Sequence, residues 1–193
     1  MLVTLGFLAC CACAAGARAA PFTVGELMNS LAANPERVIA YSETRHSSLL
    51  KEPLVSTGEL RFRPPDTLER TVKTPFAERY VIEGDRMTIE RPGGGPPRTL
   101  SLASQPLLAN LVATIRALLR GDLQTLERLY RIELAGSPDG WALTLLPSDP
   151  TMVEFVASVR VTGRGGTLDE MEAVEPNGDR TVTRFTPLGE ATR

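Results

Sequence analysis

His46 is the single histidine of this 193-residue chain, so a Ser-His-Asp arrangement or a histidine base would have to be built on it. It stands beside Arg45, Ser47 and Ser48, where a strand-like run gives way to a loop, and that setting predicts a solvated polar residue. Zinc needs three or four His, Cys or carboxylate ligands. The three cysteines, Cys10, Cys11 and Cys13, lie in the apolar run expected to be cut off as a leader, and the one histidine left does not supply them. Asp169, Glu170, Glu172 and Glu175 are the remaining candidates, for calcium or for a general acid/base pair. They fall on both faces of one strand-like run, the spacing of solvated carboxylates. Gly93-Gly94-Gly95 lacks the Lys and the Ser or Thr of a phosphate loop and is flanked by prolines, which predicts a hairpin tip. The sequence therefore points to no catalytic residue, no metal and no cofactor, and to a protein that is not an enzyme.

What remains is apolar surface. Leu60, Phe62, Tyr80, Ile82, Met87, Ile89, Trp141, Leu143 and Leu145 occupy alternating positions of strand-like segments. A close-packed core and a lined cavity share this alternation, and periodicity does not separate them.

The elements that carry these residues follow from local signals. Leu2 to Ala15 is a short apolar run ending in Ala17-Arg18-Ala19, the pattern of a signal peptide cut after Ala19. Residues 1–19 are thus expected to be a leader, and residues 20–193 one domain with a loose tail after about 187. All three cysteines leave with the leader, so disulfides and thiol chemistry are excluded. With 21 basic and 23 acidic residues, the chain has no electrostatic footprint for nucleic acid or an anionic membrane. No later apolar run approaches the length of a spanning helix.

Thr23 and Glu26 form a capping box that opens a helix to about Ala33, ended by Asn34-Pro35. Strand-like segments follow at 38–45, 55–63, 68–74, 78–83, 86–91 and 98–102, divided by turn signals. From Ser104 to Arg120 the period changes: Leu108, Leu111, Val112, Ile115, Leu118 and Leu119 make one helical stripe. Ser104 is the expected cap, Gly121 the expected stop, and Asp122 the cap of a further turn through Leu129. Strands resume at 130–134, 141–146, 153–162, 167–175 and 180–186, the last two joined through Asn177-Gly178. Short connections imply antiparallel neighbours. The fold class is α+β: a single curved antiparallel sheet of about ten to eleven strands, with an N-terminal helix and a central apolar helix filling its concave face.

Four stretches in this order carry a resemblance to a known family. Gly58-Glu59-Leu60-Arg61-Phe62-Arg63-Pro64, then Tyr80 to Ile89, then Trp141 to Pro147, then Glu175 to Arg180 resemble the strands of the LolA-like periplasmic lipoprotein-carrier family. The resemblance implies an unclosed half β-barrel whose helices act as a lid over an apolar cavity for acyl chains. It implies that Leu60, Phe62 and the other alternating residues line that cavity together with Leu108, Leu111, Ile115 and Leu118. It also implies that Arg63, just before Pro64, latches the lid. The doubled Pro64-Pro65 leaves the register ambiguous by one, so a solvated edge arginine stays an alternative. The longer apolar helix and low aromatic content resemble a divergent LolA-related branch that accompanies polyene or other lipid-like products. The implied protein is a monomeric periplasmic carrier delivering lipoprotein acyl chains, or a polyene or glycolipid product, towards the outer membrane. An inner-membrane donor and an outer-membrane acceptor are its implied partners. The alternative is a lipid-sensing or protein-binding envelope module with the same fold, which would carry a second domain, not expected in residues 20–193, or a persistent apolar exterior patch.

Overall fold

The computed structural model describes residues 21–33 and 37–188. The expected leader, Asn34-Pro35 and the last residues of the tail lie outside the described residues. Helix α1 (Val24–Ala32) opens with the expected reciprocal cap: Glu26 N–H donates to Thr23 Oγ1 at 3.2 Å, and Thr23 N–H donates to Glu26 Oε2 at 2.8 Å. Its stripe of Leu27, Met28 and Leu31 is buried.

Six strands follow: β1 (Arg37–His46), β2 (Leu54–Arg63), β3 (Thr67–Thr74), β4 (Glu78–Glu83), β5 (Arg86–Glu90) and β6 (Arg98–Ser101). A 3-10 turn at Leu102–Ser104 leads into α2 (Pro106–Arg120) and α3 (Leu123–Leu129). The chain continues through β7 (Tyr130–Ser137), β8 (Gly140–Pro147), the short α4 (Pro150–Val153), β9 (Ser158–Arg164), β10 (Thr167–Val174) and β11 (Arg180–Pro187). All eleven strands form one antiparallel sheet in the order β6-β5-β4-β3-β2-β1-β11-β10-β9-β8-β7. A sheet this wide curls through its own twist. It does not close, and β6 and β7 are its edges.

The two edges are consecutive in sequence, and the chain between them is helical. It therefore crosses from one rim of the half-barrel to the other over the concave face. The core lies between that face and the helices, with Leu31, Leu126, Leu143, Leu145 and Val161 fully buried. Each such side chain contributes roughly 1.5–3 kcal/mol by leaving water.

Two local expectations are corrected. Ser104 does not cap α2; it sits in the 3-10 turn and its hydroxyl donates to Ser101 O at 2.8 Å, while Pro106 starts the helix behind Gln105. The strand expected at 153–162 begins only at Ser158. Before it, Asp149 accepts from Thr151 N–H at 2.9 Å and Pro150 takes the first helical position, so α4 forms instead. Gly121 does end α2, with φ at 67°. A Cβ there would lie 2.0 Å from Met28 O, so the glycine also lets α2 dock on α1.

Candidate functional site

Register sorts the candidate residues into rows on the concave face. Phe62, Leu68, Ile82 and Met87 stand opposite one another across β2 to β5, and so do Leu60, Arg70, Tyr80 and Ile89. Leu60, Phe62, Ile82, Met87, Leu118, Trp141, Leu143 and Leu145 are buried. Tyr80, Ile89, Leu108, Leu111 and Ile115 are partly buried and pack against the same core. The structure divides this set. Leu60, Ile115 and Leu118 line a cavity of about 60 Å³. Leu111, with Leu107, lines a roomier groove of about 340 Å³ against Phe155, Val156 and β10. Ligand pockets for drug-sized molecules run to roughly 300–1,000 Å³, so the smaller cavity alone is too small for an acyl chain. Its space is taken by α2.

The cavity has a polar floor that its apolar alternation does not announce. Arg70 on β3 reaches across β2 to β1, donating through Nε to Tyr41 Oη at 3.0 Å and through Nη2 to Glu43 Oε1 at 2.8 Å. Its guanidinium carbon lies 4.8 Å from the centre of the Tyr41 ring. Thr183 on β11 donates to Glu43 Oε2 at 3.3 Å, and Ser56 on β2 to Glu43 Oε1 at 3.4 Å. Tyr41 and Thr183 are buried. Burial pulls the Arg70 pKa down, but the Glu43 carboxylate and the Tyr41 hydroxyl outweigh it, and the group stays firmly charged. This crossing is possible because Gly58 stands between the two strands, opposite Tyr41. A Cβ at Gly58 would come within 2.8 Å of Tyr41 Oη and 1.9 Å of Thr71 O. The glycine that opens the recognisable motif is therefore a gap in the inner row, filled from both sides.

Arg63, the expected lid latch, takes the alternative that the doubled proline left open, a solvated edge arginine. Phe62 points inward, so strand alternation puts Arg63 on the convex face. There it lies 3.7 Å from Glu69 with its side chain half exposed. The cations that tie helices to sheet are others, which sequence reading passed over. Arg116 of α2 donates through Nη1 to Gly84 O at 2.9 Å and through Nη2 to Ile82 O at 3.3 Å, at the β4–β5 turn. Its Nε is buried without a partner, and burial pulls the Arg116 pKa down. Arg37, at the start of β1, bonds Leu31 O of α1, and its Nη1 donates to Gly166 O at 3.0 Å. The hydroxyls of Thr114 and Tyr130 meet at 2.7 Å, joining α2 to β7. A helical arginine on an otherwise apolar stretch was the available signal for Arg116.

The chemical candidates are dispersed. His46 is half-buried at the end of β1. Asp169, Glu170 and Glu175 pair with Arg164, Arg184 and Arg45 on partly exposed surfaces. Among the described residues no group of three or more His, Cys, Asp or Glu is placed to hold a metal. Among them, too, no helix is long and apolar enough to cross a membrane.

A comparison with curated proteins finds no match. Among solved structures, a LolA superfamily protein from Nitrosomonas europaea is 11% identical, with a TM-score of 0.42 over 86% of this chain and 92% of that one. The Pseudomonas aeruginosa MucA/MucB complex gives 17% identity and a TM-score of 0.46 over 88% of this chain and 58% of that one. LprF from Mycobacterium bovis gives 11% and 0.37 over 88% and 94%. The family is carried by sequence: residues 14–192 match the family described as outer membrane lipoprotein carrier protein LolA-like. The chain belongs to that LolA-like family.

Proposed function

We propose that this protein is a non-catalytic periplasmic carrier that shelters the acyl chains of a lipid or lipoprotein-like cargo and passes them towards the outer membrane. The observation that carries the reading is the relation of α2 to the sheet. An unclosed apolar surface is plugged by a separate helix, whose Ile115 and Leu118 face a residual cavity. Loading then means exchanging helix side chains for acyl methylenes, each worth about 0.8 kcal/mol of burial on either side of the exchange. A near balance of that kind is what allows both uptake and release. A donor in the inner membrane and an acceptor in the outer membrane complete the scheme. The leader, residues 1–19, takes the chain out of the cytoplasm, and the rest acts as one domain.

Native mass spectrometry of the protein purified from the periplasm, followed by lipid extraction, tests this. A co-purifying acyl species is expected. A clean apo mass, together with no displacement of a neutral fluorescent probe by any acyl compound, would overturn it.

One observation favours a second reading, a docking module for a protein. Leu49 and Phe76 are 91% and 79% exposed, on the neighbouring β1–β2 and β3–β4 connections, and Leu54 and Val55 beside them are about half exposed. A stoichiometric protein in the native mass spectrum, in place of lipid, would decide for it.

A further inference from the structure

The polar floor of the cavity is not needed to hold the sheet. β1 and β2 already share an unbroken run of paired residues across it, and β2 pairs with β3 from Gly58 to Arg63 after a register shift at Thr57/Gly58. A partly buried ion pair is a weak source of stability, and apolar replacements of similar volume are often neutral or better. Gly58 adds a cost of its own, since glycine weakens a strand interior. Three polar side chains and a glycine concentrated on the wall of an apolar cavity therefore call for a ligand.

The chemistry of that ligand follows from what the cluster leaves on offer. Arg70 donates to Tyr41 through Nε and to Glu43 through Nη2, so Nη1 remains a donor. Tyr41 Oη accepts from Arg70, which leaves its own O–H to donate. Glu43 takes bonds from Arg70, Thr183 and Ser56, and its charge neutralises the guanidinium. A ligand group here meets two donors beside a carboxylate that repels anions. We infer that Tyr41, Glu43 and Arg70 form a subsite for a neutral hydrogen-bond acceptor, the carbonyl of an acyl ester or amide, and discriminate against a free carboxylate. This rests on the carrier reading above and narrows its cargo to esterified or amidated acyl chains. Ile115 and Leu118 face the same cavity from α2, so a chain that displaces them sets its carbonyl on this floor.

The test uses displacement of the neutral probe N-phenyl-1-naphthylamine from the whole exported protein by methyl laurate, laurate and dodecane. One hydrogen bond to a charged donor predicts that methyl laurate displaces at about tenfold lower concentration than dodecane, and below laurate too. Arg70→Met should bring methyl laurate level with dodecane. Glu43→Gln is nearly isosteric and keeps the test decisive if Arg70→Met fails to fold. It frees the guanidinium and should reverse the order, so that laurate binds more tightly than methyl laurate. Equal displacement by ester and hydrocarbon in the wild type, or an order unchanged by Glu43→Gln, would overturn the subsite while the carrier reading stands. Failure of all three compounds to displace the probe would overturn both.

Discussion

Arg63 and Arg116 make opposite predictions although both are surface-reaching arginines. Arg63 holds Glu69 at 3.7 Å with its side chain 53% exposed, so Arg63→Ala should change the unfolding free energy read by urea by no more than about 0.5 kcal/mol and leave probe binding alone. On the carrier reading, Arg116 holds α2 in its seated position, through the carbonyls of Ile82 in β4 and Gly84 in the β4–β5 turn. Arg116→Met removes that preference and shifts the population towards the open state. Apparent affinity for the neutral probe should rise, by about three- to tenfold, in a fluorescence titration. A weaker or unchanged affinity would mean that Arg116 does not restrain α2. Gly58 sets the third residue-level expectation. Gly58→Ala places a methyl group 1.9 Å from the Thr71 carbonyl, and backbone has no cheap way to yield. The substitution should cost about 2 kcal/mol or more in urea unfolding, with the m-value unchanged. Alternation made the inward rows legible at Leu60 and Phe62. It could not show that Arg70 belongs to the same inner row, because an inward arginine and an outward one read alike in a strand with apolar and polar residues on both faces.

Elements differ in how far local chemistry determines them. The capping box of α1 and the glycine stop of α2 were legible because each depends on two or three adjacent residues. The segment before β9 was not, since Val153, Phe155 and Ala157 alternate like a strand. Asp149-Pro150 starts a turn of helix there that keeps Val156 buried and leaves Phe155 half exposed. The β10–β11 hairpin offers an element-scale prediction. Asp179 accepts from the Ser47 hydroxyl and from Ser48 N–H at 2.9 Å, pinning the β1–β2 loop to the hairpin. The Ser47 bond, then the Ser48 N–H, hold its carboxyl below the ordinary value of 3.8. A depressed folded pKa stabilises above the unfolded pKa and is lost as pH falls below it. Glu69, held down mainly by Arg79, acts with the same sign. Stability should therefore hold at neutral pH and decline below about pH 4. Asp179→Asn should lower the urea midpoint at pH 7 and shrink the difference between pH 7 and pH 3. An unaltered difference would show that the hairpin pin is not part of the acid response.

For the whole molecule, the decisive feature is that the sheet's two edges are joined by helix. Strands β1, β2 and β11 sit in the middle of the sheet, paired on both sides, and their hydrogen bonds do not depend on α2. Helix α2 holds its place through side chains, through Thr114 to Tyr130 and through Arg116, and it docks on α1 at Gly121. It can leave the concave face without unpairing a strand. On the carrier reading, opening is then a local event, cheaper than unfolding. The cavity of about 60 Å³ under Ile115 and Leu118 is too small for an acyl chain, so loading there requires such an event. Hydrogen exchange read by mass spectrometry separates this from a sheet that loosens throughout. With methyl laurate bound, amides of α2 should exchange faster than in the empty protein, while those of β1, β2 and β11 keep their protection. Ile115→Glu sharpens the result, because a carboxylate facing the cavity disfavours the seated helix and the buried chain alike. That variant should lose probe binding and keep its far-UV circular dichroism. Equal acceleration across helix and central strands would mean that cargo enters by deforming the half-barrel itself, and the lid would have no separate role.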